Sequence, residues 1–144
     1  MAAWSDDDTD YFLTDANMNV TGCYSGGELR RHYVYDAYGE PTYLDSSWTT
    51  STRSSNETVF MYAGYYYDAE TGLYHVRNRY YHPSLGRWAQ RDPLGYVDGM
   101  SLYQYVRSGP VAAVDPLGLE RTLSTYAQCD VPPLPDDCQK GDTE

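Results

Sequence analysis

Apolar and aromatic residues alternate with polar ones in two long stretches of the chain, a pattern typical of half-buried β-strands. In residues 11–44, Tyr33 and Tyr35 lie two positions apart on one face of a strand, while Gly26-Gly27 and Gly39-Glu40-Pro41 supply turn residues. This stretch predicts a β-hairpin whose first strand spans residues 11–25 and whose second strand spans residues 28–44.

The alternation resumes at residues 59–88, after a polar segment at 45–58 that we expect to be a long loop. Turn residues at 69–72 and 83–86 divide this second stretch. Between the turns, alternation over residues 73–80 predicts a single strand with a basic face that carries His75, Arg77 and Arg79.

Two short motifs recur along the chain. Tyr35-Asp36-Ala37 reappears 32 residues later as Tyr67-Asp68-Ala69, and a glycine follows each copy. Repeats at such a period are typical of stacked units that cannot bury their apolar faces alone. We therefore expect neighbouring hairpins that pack on one another.

The second motif is Asp92-Pro93-Leu94-Gly95, which recurs 23 residues later as Asp115-Pro116-Leu117-Gly118. Asp, Pro and Gly at these positions favour a type I turn that the aspartate caps. Between the two copies, residues 100–107 are compatible with a helical turn or with a short strand, and the pattern does not decide between them.

Tyrosine dominates the aromatic content and changes the expected character of the core. The 144 residues suit one domain of modest size and include 17 tyrosines, against two phenylalanines and three tryptophans. A buried tyrosine ring still needs a partner for its hydroxyl, so we expect an amphipathic, β-rich core instead of a dry helical one.

The net charge of -11 disfavours contact with phosphate backbones and anionic lipids, so we expect no nucleic-acid partner. All eight basic residues between positions 21 and 119 are arginines. Arginine pairs with carboxylates and stacks on aromatic rings, which predicts arginine within the tyrosine-rich interior. No apolar run reaches 18 residues and residues 1–10 are acidic, so we expect neither a membrane-spanning segment nor a signal peptide.

Cysteine and histidine spacing provides no support for metal or cofactor chemistry. Cys23, Cys129 and Cys138 lack metal-ligand spacing and do not form a disulfide framework, although Cys129 and Cys138 could pair in an oxidising compartment. The histidines likewise lack ligand spacing, and no glycine-rich phosphate loop is present. We therefore expect neither a cofactor nor a metal.

Residues 65–95, the segment SLYQYV at 101–106 and the segment PVAAVDPLGL at 110–119 resemble the core domain associated with Rhs (YD) repeats. That domain occurs in bacterial polymorphic toxins and in the C components of insecticidal toxin complexes. The resemblance covers residues 11–119 and implies a mainly β fold, in which antiparallel hairpins form a spiral shell. It also implies, as partner, the remaining shell or the chain's own C-terminal segment.

The resemblance further implies an aspartyl autoprotease that cuts after DPxGL, here at the Leu119–Glu120 bond, with Asp92 and Asp115 as catalytic carboxylates. Peptide hydrolysis needs a base for the water and an acid for the leaving amine, which two carboxyls sharing one proton supply. Arg91 would hold one carboxylate ionised or stabilise the oxyanion. The alternative is a non-catalytic structural or interaction part of the shell.

Three segments follow from this organisation. Residues 1–10 form an acidic N-terminal segment, residues 11–119 form the Rhs repeat-associated core, and residues 120–144 form a C-terminal extension. The extension is rich in proline and charge and contains one aromatic residue, which predicts disorder. The core itself, without neighbouring repeats, is expected either to form the β fold or to be only partly ordered.

Overall fold

Short antiparallel strands and tight turns make up residues 9–53, 58–97 and 99–123, which are the residues described in this computed structural model. Within these ranges the helical turns are all of the 3-10 type, at Tyr62–Gly64, Pro83–Leu85 and Val106–Ser108. The described residues contain no helix of the length and apolarity that a membrane crossing requires. The prediction of a mainly β fold is confirmed.

The first sheet contains β1 (Tyr11–Thr14), β2 (Val20–Ser25), β3 (Glu28–Tyr35) and β4 (Pro41–Asp45), in that spatial order. The predicted turn at residues 26–27 is present. The turn predicted at 39–41 lies at residues 36–40, since Pro41 already begins β4, and it divides the predicted strand over residues 28–44 into β3 and β4. The prediction of one strand over residues 11–25 is wrong, because the chain turns at residues 15–19. There the Asp15 carboxylate accepts backbone N–H groups of Asn17 and Asn19, both at 2.9 Å.

The same aspartate-capped turn recurs along the chain. In each case one carboxylate oxygen accepts backbone N–H groups two and four residues further on, at 2.8–2.9 Å, and the aspartates are Asp15, Asp36 and Asp45. Asp68 accepts the Glu70 N–H at 3.0 Å in a related turn. Both Tyr-Asp-Ala motifs therefore begin a hairpin turn that their aspartate caps, although the hydrogen bonds of the two turns differ.

The segment predicted as a long loop begins with one of these turns. An isolated bridge between Leu44 and Thr50 follows the Asp45 turn, so this part of the segment is locally ordered. Residues 54–57 of the predicted loop lie outside the described residues.

The second sheet contains β5 (Tyr66–Asp68), β6 (Leu73–Val76), β7 (Arg79–His82) and β8 (Arg87–Trp88), again in chain order. The predicted turns at residues 69–72 and 83–86 are present. The prediction of one strand over residues 73–80 is wrong, because the chain reverses at Arg77-Asn78 and pairs Val76 with Arg79. Paired residues share a face of the sheet, so Arg79 is buried beside Val76 and no basic face forms.

Residues 100–107 contribute both an extended segment and a helical turn. The Trp88 N–H donates to the Tyr103 carbonyl at 2.9 Å, and Arg87 pairs with Gln104, which extends the second sheet. The following turn has three consecutive positive φ values, 38° at Val106, 55° at Arg107 and 59° at Ser108. After it, β9 (Ala113–Val114) pairs with β10 (Thr122–Leu123), on either side of the second DPLG turn.

Tyrosine rings fill the core between the two larger sheets, which confirms the expectation from composition. Their hydroxyls donate to backbone carbonyls of the turn after β3: Tyr74 to Gly39 at 2.9 Å and Tyr81 to Tyr38 at 2.7 Å. The rings therefore join the sheets by apolar packing and by hydrogen bonds at once.

Candidate functional site

The two DPLG motifs form turns of the same kind. In the first, the Gly95 N–H donates to the Asp92 carbonyl at 3.2 Å and the Leu94 N–H donates to Asp92 Oδ1 at 2.8 Å. In the second, the Gly118 N–H donates to the Asp115 carbonyl at 3.2 Å and the Leu119 N–H donates to Asp115 Oδ1 at 3.0 Å. Each aspartate thus uses Oδ1 within its own turn and leaves Oδ2 for another partner.

That partner is the same residue for both aspartates, Arg79 at the start of β7. Arg79 Nη1 lies 2.8 Å from Asp92 Oδ2, and Arg79 Nη2 lies 3.0 Å from Asp115 Oδ2. The third donor, Nε, bonds the Gly118 carbonyl at 2.7 Å, and the guanidinium carbon lies 4.1 Å from the centre of the Trp88 ring. We call Asp92, Arg79 and Asp115 the buried triad.

The triad holds two carboxyls and one guanidinium out of water. The exposed fractions of the side chains are 3% for Arg79, 8% for Asp92 and 3% for Asp115. Burial raises the pKa of the Asp115 carboxyl above its usual range, although the Leu119 N–H and the Arg79 charge act in the opposite direction. Asp115 therefore takes up a proton more readily than an ordinary aspartate.

The backbone of Asp115 is held by a tyrosine. The Tyr65 hydroxyl donates to the Asp115 carbonyl and accepts the Asp115 N–H, both at 2.9 Å. It also lies 3.0 Å from the Tyr105 hydroxyl. Both rings are buried in the core, so this part of the DPLG turn is anchored to residues distant in sequence.

The β6–β7 turn forms a cradle for the second DPLG turn. Asn78 Nδ2 donates to the Leu117 carbonyl at 2.8 Å, next to the bond from Arg79 to Gly118. Gly118 has a φ of 65°, and a Cβ at this position would lie 2.5 Å from the Val76 carbonyl oxygen. Both the backbone conformation and the close approach therefore require glycine.

The structure brings together the two predicted aspartates and places them beside the predicted cleavage position. Leu119 is half-buried and bonds the Asp115 carboxylate, and Glu120 is exposed. Arg91, predicted to stabilise charge, is exposed and lies outside the triad. The arginine that contacts both carboxylates is Arg79. The sequence predicts Arg79 only as part of a basic strand face with His75 and Arg77, and does not pair it with either aspartate.

No group of His, Cys, Asp and Glu side chains among residues 9–53, 58–97 and 99–123 is arranged to hold a metal ion. Cys23 is buried in the core. Cys129 and Cys138, whose pairing the sequence left open, lie outside the described residues, as does most of the predicted C-terminal extension.

No family model matches the chain. Among curated proteins, the toxin subunit YenC1 of Yersinia entomophaga is 44% identical over 111 residues, which cover 76% of this chain and 11% of YenC1. The tRNA nuclease WapA of Bacillus subtilis (strain 168) is 41% identical over 98 residues, which cover 65% of this chain and 4% of WapA.

Solved structures of TcdB2-TccC3 show the same fold. The crystal structure of TcdB2-TccC3-Cdc42 matches with a TM-score of 0.64 and 31% identity, and the match covers 82% of this chain and 6% of the chain in that structure. A second TcdB2-TccC3 structure matches with a TM-score of 0.63 and 33% identity. The chain is therefore homologous to Rhs/YD-repeat toxin proteins, over a small part of those long chains.

Proposed function

We propose that the buried triad is an aspartyl autoprotease site that cuts the chain's own Leu119–Glu120 bond, as the terminal module of an Rhs-type toxin shell. The observation that carries this proposal is the position of the Asp115 carboxyl. Its Oδ1 accepts the Leu119 N–H at 3.0 Å, and the Glu120 N–H also acts on its pKa. The carboxyl thus contacts the residue whose carbonyl belongs to the bond to be cut.

The two carboxyls suit the two proton transfers of hydrolysis. Asp92, in contact with Arg79, takes a proton from the water whose oxygen forms a bond to the Leu119 carbonyl carbon. Asp115, which burial disposes to carry a proton, donates it to the Glu120 nitrogen as the carbon–nitrogen bond breaks. The products are a carboxyl group on Leu119 and a free amine on Glu120.

Arg79 carries the electrostatic part of this proposal. One guanidinium balances the charge of only one carboxylate, so a proton on the second carboxyl leaves the buried site electrically neutral. Its bond to the Gly118 carbonyl also holds the residue before Leu119 in place. One solved relative is a TcdB2-TccC3 complex without its hypervariable C-terminal region, which supports a separable C-terminal segment here too.

A second candidate is a non-catalytic role, in which the triad fastens residues 115–119 to β7 within the shell. The observation in its favour is that Arg79 occupies the Oδ2 atoms of both aspartates. A guanidinium bonded to both carboxylates stabilises their ionised forms and opposes the sharing of a proton. The two candidates differ in whether the Leu119–Glu120 bond breaks.

Intact-mass measurement on freshly purified 144-residue chain separates the candidates. Autoproteolysis yields a product ending at Leu119 and a 25-residue peptide beginning at Glu120. Asp92→Asn and Asp115→Asn each leave the chain whole, because an amide does not exchange the proton that the reaction needs. Glu70→Gln, which removes an exposed carboxylate, is the matched control and is cut at the wild-type rate.

The same assay compares the two arginines. If Arg79 supplies the charge, Arg91→Ala is cut at the wild-type rate, whereas slower cutting would support the role predicted for Arg91 from sequence. If intact mass shows the 144-residue species and no cleavage product at every pH from mildly acidic to neutral, autonomous proteolysis is contradicted and the structural candidate is supported.

A further inference from the structure

One hydroxyl group fixes the backbone of the second aspartate. Tyr65 Oη bonds both polar groups of the Asp115 peptide backbone, the N–H and the carbonyl, at 2.9 Å each. Tyr65 and Asp115 are 50 residues apart in sequence. Tyr65 contacts neither carboxyl of the triad through these bonds, so its influence on the reacting atoms passes through the Asp115 backbone.

The direction of each hydrogen bond is determined by the chemistry of a hydroxyl. Tyr65 has one proton, which it donates to the Asp115 carbonyl, so Tyr105 must donate to Tyr65 across the 3.0 Å between their oxygens. Tyrosine hydroxyls carry their proton at neutral pH, and burial raises the pKa of both groups further. The pair therefore forms an ordered chain of donors that ends on Asp115.

A small movement of the Asp115 backbone displaces its carboxyl from two partners at once. The carboxylate contacts the Leu119 N–H and Arg79 Nη2, each at 3.0 Å. Hydrogen bonds of this kind weaken steeply when distance or angle changes. The orientation of the carboxyl toward the Leu119–Glu120 bond thus depends on where Tyr65 holds the backbone.

We propose that Tyr65, supported by Tyr105, is a positioning residue that aligns the Asp115 carboxyl with the Leu119–Glu120 bond. This inference rests on the autoprotease function proposed above. Neither tyrosine takes part in proton transfer to or from the substrate peptide.

Tyr65→Phe and Tyr105→Phe form a matched pair that tests the proposal. Each removes one buried hydroxyl and keeps the ring, but only Tyr65→Phe removes the two bonds to Asp115. Cleavage is followed by intact mass at a temperature where circular dichroism shows both variants fully folded. We expect Tyr65→Phe to slow cleavage by about a hundredfold, the effect of a misplacement of about 1 Å, and Tyr105→Phe to slow it far less.

A purely structural role would lower the stability of both variants without changing the cleavage rate of folded chains. Equal cleavage rates for folded Tyr65→Phe and wild type would therefore overturn the positioning role while leaving the autoprotease proposal intact. Absence of cleavage in the wild type would instead contradict the autoprotease proposal.

Hydrogen exchange supplies a second readout that does not depend on cleavage. The Asp115 amide proton is bonded to the Tyr65 hydroxyl. Its exchange is measured in chains that also carry Asp92→Asn, which keeps them whole. We expect Tyr65→Phe to accelerate exchange at this amide, and Tyr105→Phe to leave it near its original rate. Unchanged exchange at Asp115 in Tyr65→Phe would show that the hydroxyl does not hold this backbone.

Discussion

Removal of the guanidinium from the buried triad should be among the most destabilising single changes in this chain. Arg79→Met leaves Asp92 and Asp115 facing each other, buried and without a counter-ion. Breaking a buried ion pair by removing one partner costs about 3–5 kcal/mol. Total stabilities of about 5–15 kcal/mol are usual, so the variant should lose a large part of its free energy of unfolding.

The loss should depend on pH with a definite sign. Without Arg79, the Asp115 carboxyl loses a charge that opposes the effect of burial, so its pKa in the folded chain rises further. The folded variant then binds protons that the unfolded chain has released, so its free energy of unfolding decreases as pH rises. The difference between Arg79→Met and wild type should therefore be smaller in mild acid than at neutral pH.

Urea unfolding, followed by tryptophan fluorescence and circular dichroism, measures the effect. For an m-value of about 2 kcal/mol per M, the expected loss lowers the midpoint by about 2 M. The matched control is Arg77→Met, which changes an exposed arginine in the adjacent turn and should alter stability by no more than about 0.5 kcal/mol. The intact mass of each sample is measured first, so that the unfolding midpoint of a cleaved chain is not compared with that of an uncleaved one.

A compensating variant sharpens the test. Arg79→Met combined with Asp92→Asn and Asp115→Asn removes all three charges, while each asparagine keeps an oxygen for the Leu94 or Leu119 N–H. This triple variant should recover much of the lost stability, because no charge remains buried without a partner. A triple variant less stable than Arg79→Met, or equal midpoints for Arg79→Met and Arg77→Met, would refute the electrostatic reasoning.

Two further predictions concern a glycine and the titration of two aspartates. Gly118→Ala and Gly72→Ala both place a side chain at positive φ, which costs about 1–2 kcal/mol, but only Gly118 faces a carbonyl oxygen, at 2.5 Å from the new Cβ. Thermal unfolding should therefore show the larger loss for Gly118→Ala, and equal losses would argue against the close approach. Burial raises the pKa of Asp115, whereas a hydrogen bond from Thr71 lowers the pKa of Asp68. At pH values just above 3.8, the ordinary pKa of an aspartate, Asp115 still binds a proton in the folded chain but has released it in the unfolded chain. The free energy of unfolding therefore decreases as pH rises through this range, and Asp115→Asn should remove that decrease. The stability that Asp68 contributes is present above pH 3.8 and is lost as pH falls through the lowered pKa of its carboxyl. Asp68→Asn should make this loss smaller, as measured by urea unfolding at several pH values.

The strands and most turns could be predicted because their signals are local. Gly26-Gly27 and the Pro-Ser-Leu-Gly segment at 83–86 mark turns by residue type alone. The turn at Arg77-Asn78 has neither glycine nor proline, and the alternation of polar and apolar residues continues through it. A two-residue reversal moves the side chains that follow it to the opposite face, so Arg79 shares a face with Val76 and not with His75 as the alternation predicts.

Of the buried triad, the sequence predicts the two aspartates but not the arginine, for a related reason. Asp92 and Asp115 could be paired because the same four-residue motif surrounds both. Their contacts with Arg79 span 13 and 36 residues, and no motif near Arg79 marks it as a partner of either. Contacts of this length depend on how the sheets pack, which local patterns do not encode.

The aspartate-capped turns have a consequence for how a chain of this kind lengthens. At Asp15, Asp36 and Asp45 the hydrogen bonds that cap the turn all lie within five residues, so these bonds need no partner elsewhere in the fold. A segment duplicated by recombination would carry with it both the aspartate and the backbone N–H groups that form the turn at its end. A duplicated unit of this kind can form its hairpin turn without simultaneous changes in distant parts of the gene, so such duplications should be tolerated more often.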